Sequence, residues 1–330
     1  MDIRNLLYER EEKTLSRYAT FSRNTRGREQ KIEESPIRTE FMRDRDRIVH
    51  SASFRRLKDK TQVFIGAGDN FRTRLTHTME VSQLARTIAR LLSLNEDLTE
   101  AIALGHDLGH TPFGHAGERA IAKHIPFEHN RQSLRIVEKL ENGKGLNLTY
   151  EVRNGILCHK SSFKPETLEG YAVNRADKIA YINHDIDDAV RAGVITIDDL
   201  PKDTIEVLGY THGQRINTMI SDIVENSMDR GELIMSKEVS EATAKLRKFM
   251  FENVYLDSAA RTEEVRVNNV IDMLYEHYTK HPGQIPGQYA KNIEEDGLEV
   301  CVGDYIAGMT DRYAVEKFNE LFIPRSWINI

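Results

Sequence analysis

Ala103-Leu104-Gly105-His106-Asp107-Leu108-Gly109-His110-Thr111-Pro112-Phe113-Gly114-His115 is the stretch whose reading decides what this chain is. Adjacent His and Asp side chains leave a helix in different directions, so His106 and Asp107 turn toward one point only if something draws both inward. A divalent cation does so, because imidazole suits transition metals and carboxylate suits harder ones. His77 lies upstream and an isolated Asp177 downstream, and five of the twelve histidines fall between His106 and His129. A helix end followed by a Gly/Pro loop rich in histidine is a common place to display reactive groups. The pattern points to a metal-dependent hydrolase.

Working outward, the spacing predicts helix almost everywhere. Leu75, Met79, Leu84, Ile88 and Leu91 form an apolar stripe, placing His77 in the first turn of a helix that runs to about Leu94. Leu98, Ile102 and His106 recur every fourth residue and put His106 on a buried face. Gly109 reads as the C-terminal stop, and Pro112 prevents immediate resumption. Further helices are expected at about 116–124, 130–141, 148–159 and 171–192. In the last of these Ile179, Ile182, Ile186 and Val190 make the apolar stripe, while Asp177, Tyr181 and Asp185 line another face, suited to the wall of a polar cleft. Helices follow at 204–228, 237–250 and 260–279. A Pro/Gly loop at 281–287 precedes a closing helical region to about Leu321. The expected organisation is an all-α bundle: a helical segment at 1–35, a core at 36–200 and a helical region at 201–330 packed on it, or one continuous domain.

The 330 residues, 39% hydrophobic and 30% charged, describe an ordinary globular chain with enough length for a substantial core. No basic-then-apolar leader and no run of membrane-spanning length occurs, so a cytoplasmic location without membrane association is expected. Cys158 and Cys301 make no thiolate cage, and a disulfide is not expected in a reducing compartment. Residues 1–60 hold 16 Lys/Arg against 11 Asp/Glu, whereas the whole chain carries a net charge of −6. That local excess is either a solvated, ion-paired helix face or a lure for a polyanion such as nucleotide phosphate or nucleic acid.

Several further runs carry a resemblance. Phe54-Arg55-Arg56-Leu57-Lys58-Asp59-Lys60-Thr61-Gln62-Val63-Phe64, Arg74-Leu75-Thr76-His77-Thr78-Met79-Glu80 and the run from His106 to Glu118 come first. Phe127-Glu128-His129-Asn130-Arg131-Gln132, Ala176-Asp177-Lys178-Ile179-Ala180-Tyr181 with Asp185, and Asp304-Tyr305-Ile306-Ala307-Gly308-Met309-Thr310-Asp311-Arg312-Tyr313-Ala314 continue the order. Together they resemble the deoxyguanosinetriphosphate triphosphohydrolase (dGTPase) family of the HD-domain superfamily, over about residues 36–320. The resemblance implies an HD-type helical bundle with added C-terminal helices. It also implies hydrolysis of deoxynucleoside triphosphates, dGTP or several dNTPs, to deoxynucleoside and tripolyphosphate.

By the same resemblance His77, His106, Asp107 and Asp177 hold one divalent ion per site, and the ligand set accepts manganese, magnesium, iron, cobalt or nickel. His115, Glu118 and His129 match the proton-transfer residues, and His110 has either a site role or a structural one. Arg74, Lys178, Tyr181 and Asp185 match nucleotide contacts, with Gln62 near the sugar or base. A homo-oligomer, tetramer or hexamer, is implied, and single-stranded DNA is a candidate partner. The compact length leaves base choice and regulation by nucleotide or DNA open. Two alternatives stand beside this reading: an HD phosphohydrolase of monophosphates or cyclic nucleotides, and a nucleic-acid-binding nucleotide sensor.

Overall fold

The computed structural model describes residues 3–63, 71–160, 162–255 and 258–324. Among them every regular element is a helix, and the sole β-type pairing is the isolated antiparallel bridge Thr61–Thr73. The all-α class expected from the periodicity is the class observed.

The helix Glu96–Gly105 lies at the centre. Asn95 caps it by accepting the Leu98 N–H at 3.1 Å, and Glu96 and Asp97 face the positive end of its dipole. Beyond that turn it is apolar nearly all round, and all its residues from Leu98 to Gly105 except Glu100 are buried. The helix Tyr150–Cys158 crosses it closely because both contribute a glycine. A Cβ on Gly105 would lie 2.5 Å from Ile156 Cδ1, and one on Gly155 would lie 2.4 Å from Ile102 Cδ1. Both helices have a histidine at their C-cap, His106 and His159, so the crossing brings these two rings together, with centroids 5.0 Å apart.

The helices Arg74–Leu91 and Leu168–Arg191 pack beside this pair. The first is rotated relative to the stripe expected from its large apolar residues. Met79 and Leu91 are about half exposed, while His77, Thr78, Val81, Ser82, Ala85 and Ala89 face inward with Leu84 and Ile88. Small residues let the helix approach its neighbours, and that contact outweighs burial of the bulkier side chains. Gly109 likewise is not the helix stop, since the helix already ends at Gly105. It packs against another backbone, where a Cβ would meet Ser133 N at 2.2 Å and His129 O at 2.4 Å. The expected helix 204–228 is split by Gly209 (φ 106°) into Lys202–Leu208 and His212–Ser227, the second opened by a Thr211/Gln214 capping box.

Many cations near the N-terminus are ion-paired. Arg28 reaches Glu40 and Asp44, Arg38 reaches Asp46, and Arg45 reaches Asp97 and Glu100. At the other end, the helices Leu298–Ala307 and Asp311–Phe322 bring Asp304, Ala307 and Asp311 against the central body. Asp304 accepts from Gln132 Nε2 at 2.9 Å and from Arg135 Nη2 at 2.7 Å. No helix among the described residues is long and apolar enough to cross a membrane.

Candidate active site

His106 follows the last turn of its helix, and its Nδ1 lies 2.6 Å from the Ala103 carbonyl. That oxygen can only accept, so the proton sits on Nδ1 and Nε2 presents a lone pair. Nε2 is buried without a hydrogen-bond partner, 3.3 Å from Asp107 Oδ1 and 3.8 Å from Asp177 Oδ1. His77 Nε2, from the facing helix, stands 3.1 Å from Asp177 Oδ1 and 4.0 Å from Asp107 Oδ2. Two imidazole nitrogens and two carboxylates thus converge from three helical segments, and a backbone carbonyl fixes the tautomer of one imidazole. This donor set fits a divalent cation.

Charge balance agrees. Burial alone would raise the pKa of Asp107, but the neighbouring His106 and His110 rings and the Arg74 guanidinium hold it well below the usual carboxylate value. Asp177 is likewise pulled down against burial, chiefly by the His77 hydrogen bond and the nearby His106 ring. Both are anions ready to bind a cation.

Arg74 is turned inward. Its Nη1 donates to Asp107 Oδ2 at 3.1 Å, Nε to Thr61 O at 3.1 Å and Nη2 to Gln62 O at 3.3 Å. It fixes the carboxylate from the side away from His106. His110 Nε2 reaches Asp107 Oδ1 at 3.2 Å, and burial, then Arg74 and His129, keep its pKa well below the ordinary histidine value. His110 is therefore a neutral donor to Asp107.

Past Pro112 the chain turns through Phe113 (φ 63°) and Gly114 (φ 58°) into the helix Gly114–Ile121, whose first turns carry His115 and Glu118. Glu118 binds two histidines: Oε2 lies 3.2 Å from His115 Nδ1 and 3.0 Å from His129 Nδ1, and Oε1 accepts the His129 backbone N–H at 3.0 Å. Burial opposes its ionisation, but the hydrogen bonds from both rings, with His110 close by, hold it far below an ordinary glutamate. The His115 side chain is 48% exposed, while that of His129 is 11% exposed and stacks on His110 with centroids 4.1 Å apart. A carboxylate holding one buried and one accessible imidazole is suited to passing a proton.

The remaining expected residues lie along Leu168–Arg191 and beside Arg74. Lys178 is partly buried, and burial, then Arg175 and Arg247, lower its pKa. Three cations therefore share that flank of Asp177. Tyr181 is half-buried one turn beyond Asp177, and Asp185 is wholly buried one turn further. Gln62 is buried next to Gly114, its carbonyl taken by Arg74.

Sequence reasoning missed His159. Its Nδ1 donates to Ile156 O at 2.7 Å, repeating the His106 arrangement, and its Nε2 faces His129 Nε2 at 3.2 Å. That contact is a hydrogen bond when His129 carries protons on both nitrogens. Burial, then His106 and His129, push the His159 pKa down to about 3, so it stays neutral. The available signal was a second buried helix ending in histidine, with Gly155 one turn before it, just as a glycine-bearing helix ends at His106. Arg247 left no such signal, because only packing of the helix Lys237–Met250 brings it near Lys178.

Comparison with known proteins agrees with this geometry. Residues 74–182 match the HD domain, and residues 233–320 match the phosphohydrolase-associated domain. A deoxyguanosinetriphosphate triphosphohydrolase-like protein of Caldanaerobacter subterraneus subsp. tengcongensis is 56% identical over 99% of this chain and 98% of its own. Similarly named proteins of Clostridium perfringens and Geobacter metallireducens are 50% and 39% identical, covering 98% and 95% of this chain and 99% and 96% of theirs. The chain belongs to the deoxyguanosinetriphosphate triphosphohydrolase-like family. As a member of that HD-domain family it is a metal-dependent phosphohydrolase, and His77, His106 and Asp107 form a group that could hold a metal ion.

Proposed function

We propose that the protein hydrolyses deoxynucleoside triphosphates, dGTP or several dNTPs, at the bond between the α-phosphorus and the 5′-oxygen, releasing deoxynucleoside and tripolyphosphate. The observation that carries this reading is Glu118 joined to both His115 and His129 beside the buried His/Asp cluster, at hydrogen-bond distances of 3.0 to 3.2 Å. An alkoxide leaves poorly unless protonated, and this triad places a donor close to where the metal fits.

His77, His106, Asp107 and Asp177 would hold the ion, which on binding supplies an acidified water and neutralises phosphate charge. Water adds to the α-phosphorus and gives up a proton to solvent, the bond to the 5′-oxygen breaks, and the electron pair leaves on that oxygen. His115 or His129 donates the proton it needs, and Glu118 steadies the ring as its charge changes. Arg74 acts through Asp107. Lys178, with Arg175 and Arg247 close by, faces the anionic tripolyphosphate. Tyr181 lies against the sugar, where a 2′-hydroxyl would find neither room nor partner, and Asp185 accepts from the 3′-hydroxyl. The names of the relatives support the same chemistry.

Product identification tests this. With manganese or magnesium and a panel of dNTPs, nucleoside and tripolyphosphate are expected in equal amounts. Monophosphate with pyrophosphate would place attack at another bond and overturn the reading.

A further inference from the structure

His115 stands on a turn of unfavourable backbone geometry. Phe113 sits in the left-handed region (φ 63°, ψ 24°), which costs an ordinary side chain roughly 1–2 kcal/mol, and Phe113 has no side-chain cap to offset it. Gly114 follows with a second positive φ. Its Cα is pressed so close to Thr61 O, Gln62 O and Arg74 Nη2 that a Cβ would lie 3.1 to 3.2 Å from them. The turn therefore persists only while its contacts over-determine its shape; one is local, the Thr111 hydroxyl donating to Gly114 O at 2.9 Å.

The other is a carboxylate from far along the chain. Asp311 Oδ1 accepts the Phe113 N–H at 2.8 Å, while Oδ2 accepts the Thr61 N–H at 3.0 Å and the Thr61 hydroxyl. Thr61 and Gln62 give Arg74 its carbonyl partners, and Arg74 holds Asp107. One side chain thus ties the turn that aims His115 to the segment that orients a metal-type ligand. Lys60 strengthens the same junction by donating to both His110 O and Ala307 O.

Asp311 opens the helix Asp311–Phe322, where an acidic residue is favoured by the helix dipole alone. Dipole stabilisation needs no particular orientation, however. Here the cap is already made by Thr310, which accepts the Tyr313 N–H at 3.2 Å, and the Asp311 carboxylate points away to partners 198 and 250 residues distant in sequence. We propose that Asp311 is a positioning residue for catalysis: it locks the Phe113–Gly114 turn and thereby holds His115 and Glu118 in register with Asp107. The phosphohydrolase-associated region, residues 233–320, would on this account complete the active site.

The inference rests on the proton-transfer role given above to His115 and Glu118. Its test compares Asp311→Asn and Asp311→Ala with the unaltered full chain, metal-loaded. A displacement of about 1 Å at the reacting groups can lower a rate about 100-fold. Asp311→Ala is expected to lower kcat about 30- to 100-fold, with KM for the dNTP within about threefold and metal content unchanged. Asp311→Asn keeps one acceptor and should recover about tenfold of that loss. Hydrogen exchange read by mass spectrometry should accelerate in peptides covering 111–116 in both variants, Ala more than Asn, and stay unchanged over 96–105. Unchanged kcat or unchanged exchange at 111–116 would overturn the proposal. So would a parallel fall of kcat, metal content and melting temperature in Asp311→Asn, which would make the residue merely structural. If the unaltered protein hydrolyses no dNTP, the functional reading fails instead, and the exchange comparison still decides whether Asp311 holds the turn.

Discussion

His106 and His115 stand close together on one stretch of chain, yet their surroundings differ in kind. His106 is wholly buried at the end of an apolar helix, and a carbonyl of that same helix fixes its tautomer. The His115 side chain is 48% exposed on a turn with two successive positive φ values, held by groups from residues 61 and 311. The difference suits the roles proposed for each. A ligand cluster needs fixed distances and exclusion of competing water, which close-packed helices supply. A proton-transfer residue needs access to substrate and solvent, and His115 has it in the first turn of a helix whose entry is shaped by contacts made elsewhere.

Removing one residue from each region should expose that division most strongly. Asp177→Ala is expected to abolish turnover and lower metal affinity by at least about 100-fold, beyond the usual 10- to 100-fold loss for a mere supporting partner of a ligand. His115→Ala should keep its metal and bind substrate, with kcat down by about 10²–10⁴, the usual range for acid–base catalysis. Metal analysis beside steady-state kinetics separates the two; loss of metal in the His115 variant would erase the distinction between the regions.

A change at the helix crossing sharpens the comparison from the packing side. Gly155→Ala drives a methyl to within 2.4 Å of Ile102, so it should cost about 1–3 kcal/mol by chemical denaturation through overpacking. Gly213→Ala meets nothing within 4 Å and should leave stability within about 1 kcal/mol or raise it slightly. Equal effects at both positions would mean that the crossing does not set the spacing of His106 and His159.

A last expected effect is one of pH. The His159 pKa is depressed from 6.5 to about 3 by burial, so the unfolded chain takes up a proton that the folded chain refuses. Its contribution is fully present above pH 6.5 and is lost as pH falls toward 3. Metal-stripped protein should therefore become less stable across that window, and His159→Gln should flatten the slope by up to about 1.4 kcal/mol per pH unit. A slope unchanged by the substitution would show that His159 is not held neutral.

The buried region was the easier to read. Helical spacing put His106 on an inner face, and the adjacent Asp107 announced a shared ligand. The outward turning of Met79 and Leu91 was not readable, because side-chain size favoured that face while close contact with neighbouring helices required small residues on the other. His159 was passed over although Gly155 and an apolar helix preceded it. Arg247 and Asp311 lay out of reach for a different reason: nothing local relates them to Lys178 or Phe113.

Local chemistry by itself determined the helical class, the elements that carry His77, His106, Asp107 and Asp177, and the kind of ion these donors suit. Periodicity and ligand chemistry act over a few residues, so they are written into the chain directly. Only the tertiary structure decided that Arg74 turns inward to hold Asp107, that Glu118 joins His115 to His129, and that Asp311 clamps their turn. Those arrangements depend on where a hydrogen bond's partner arrives from, and packing across as many as 250 residues of chain sets that.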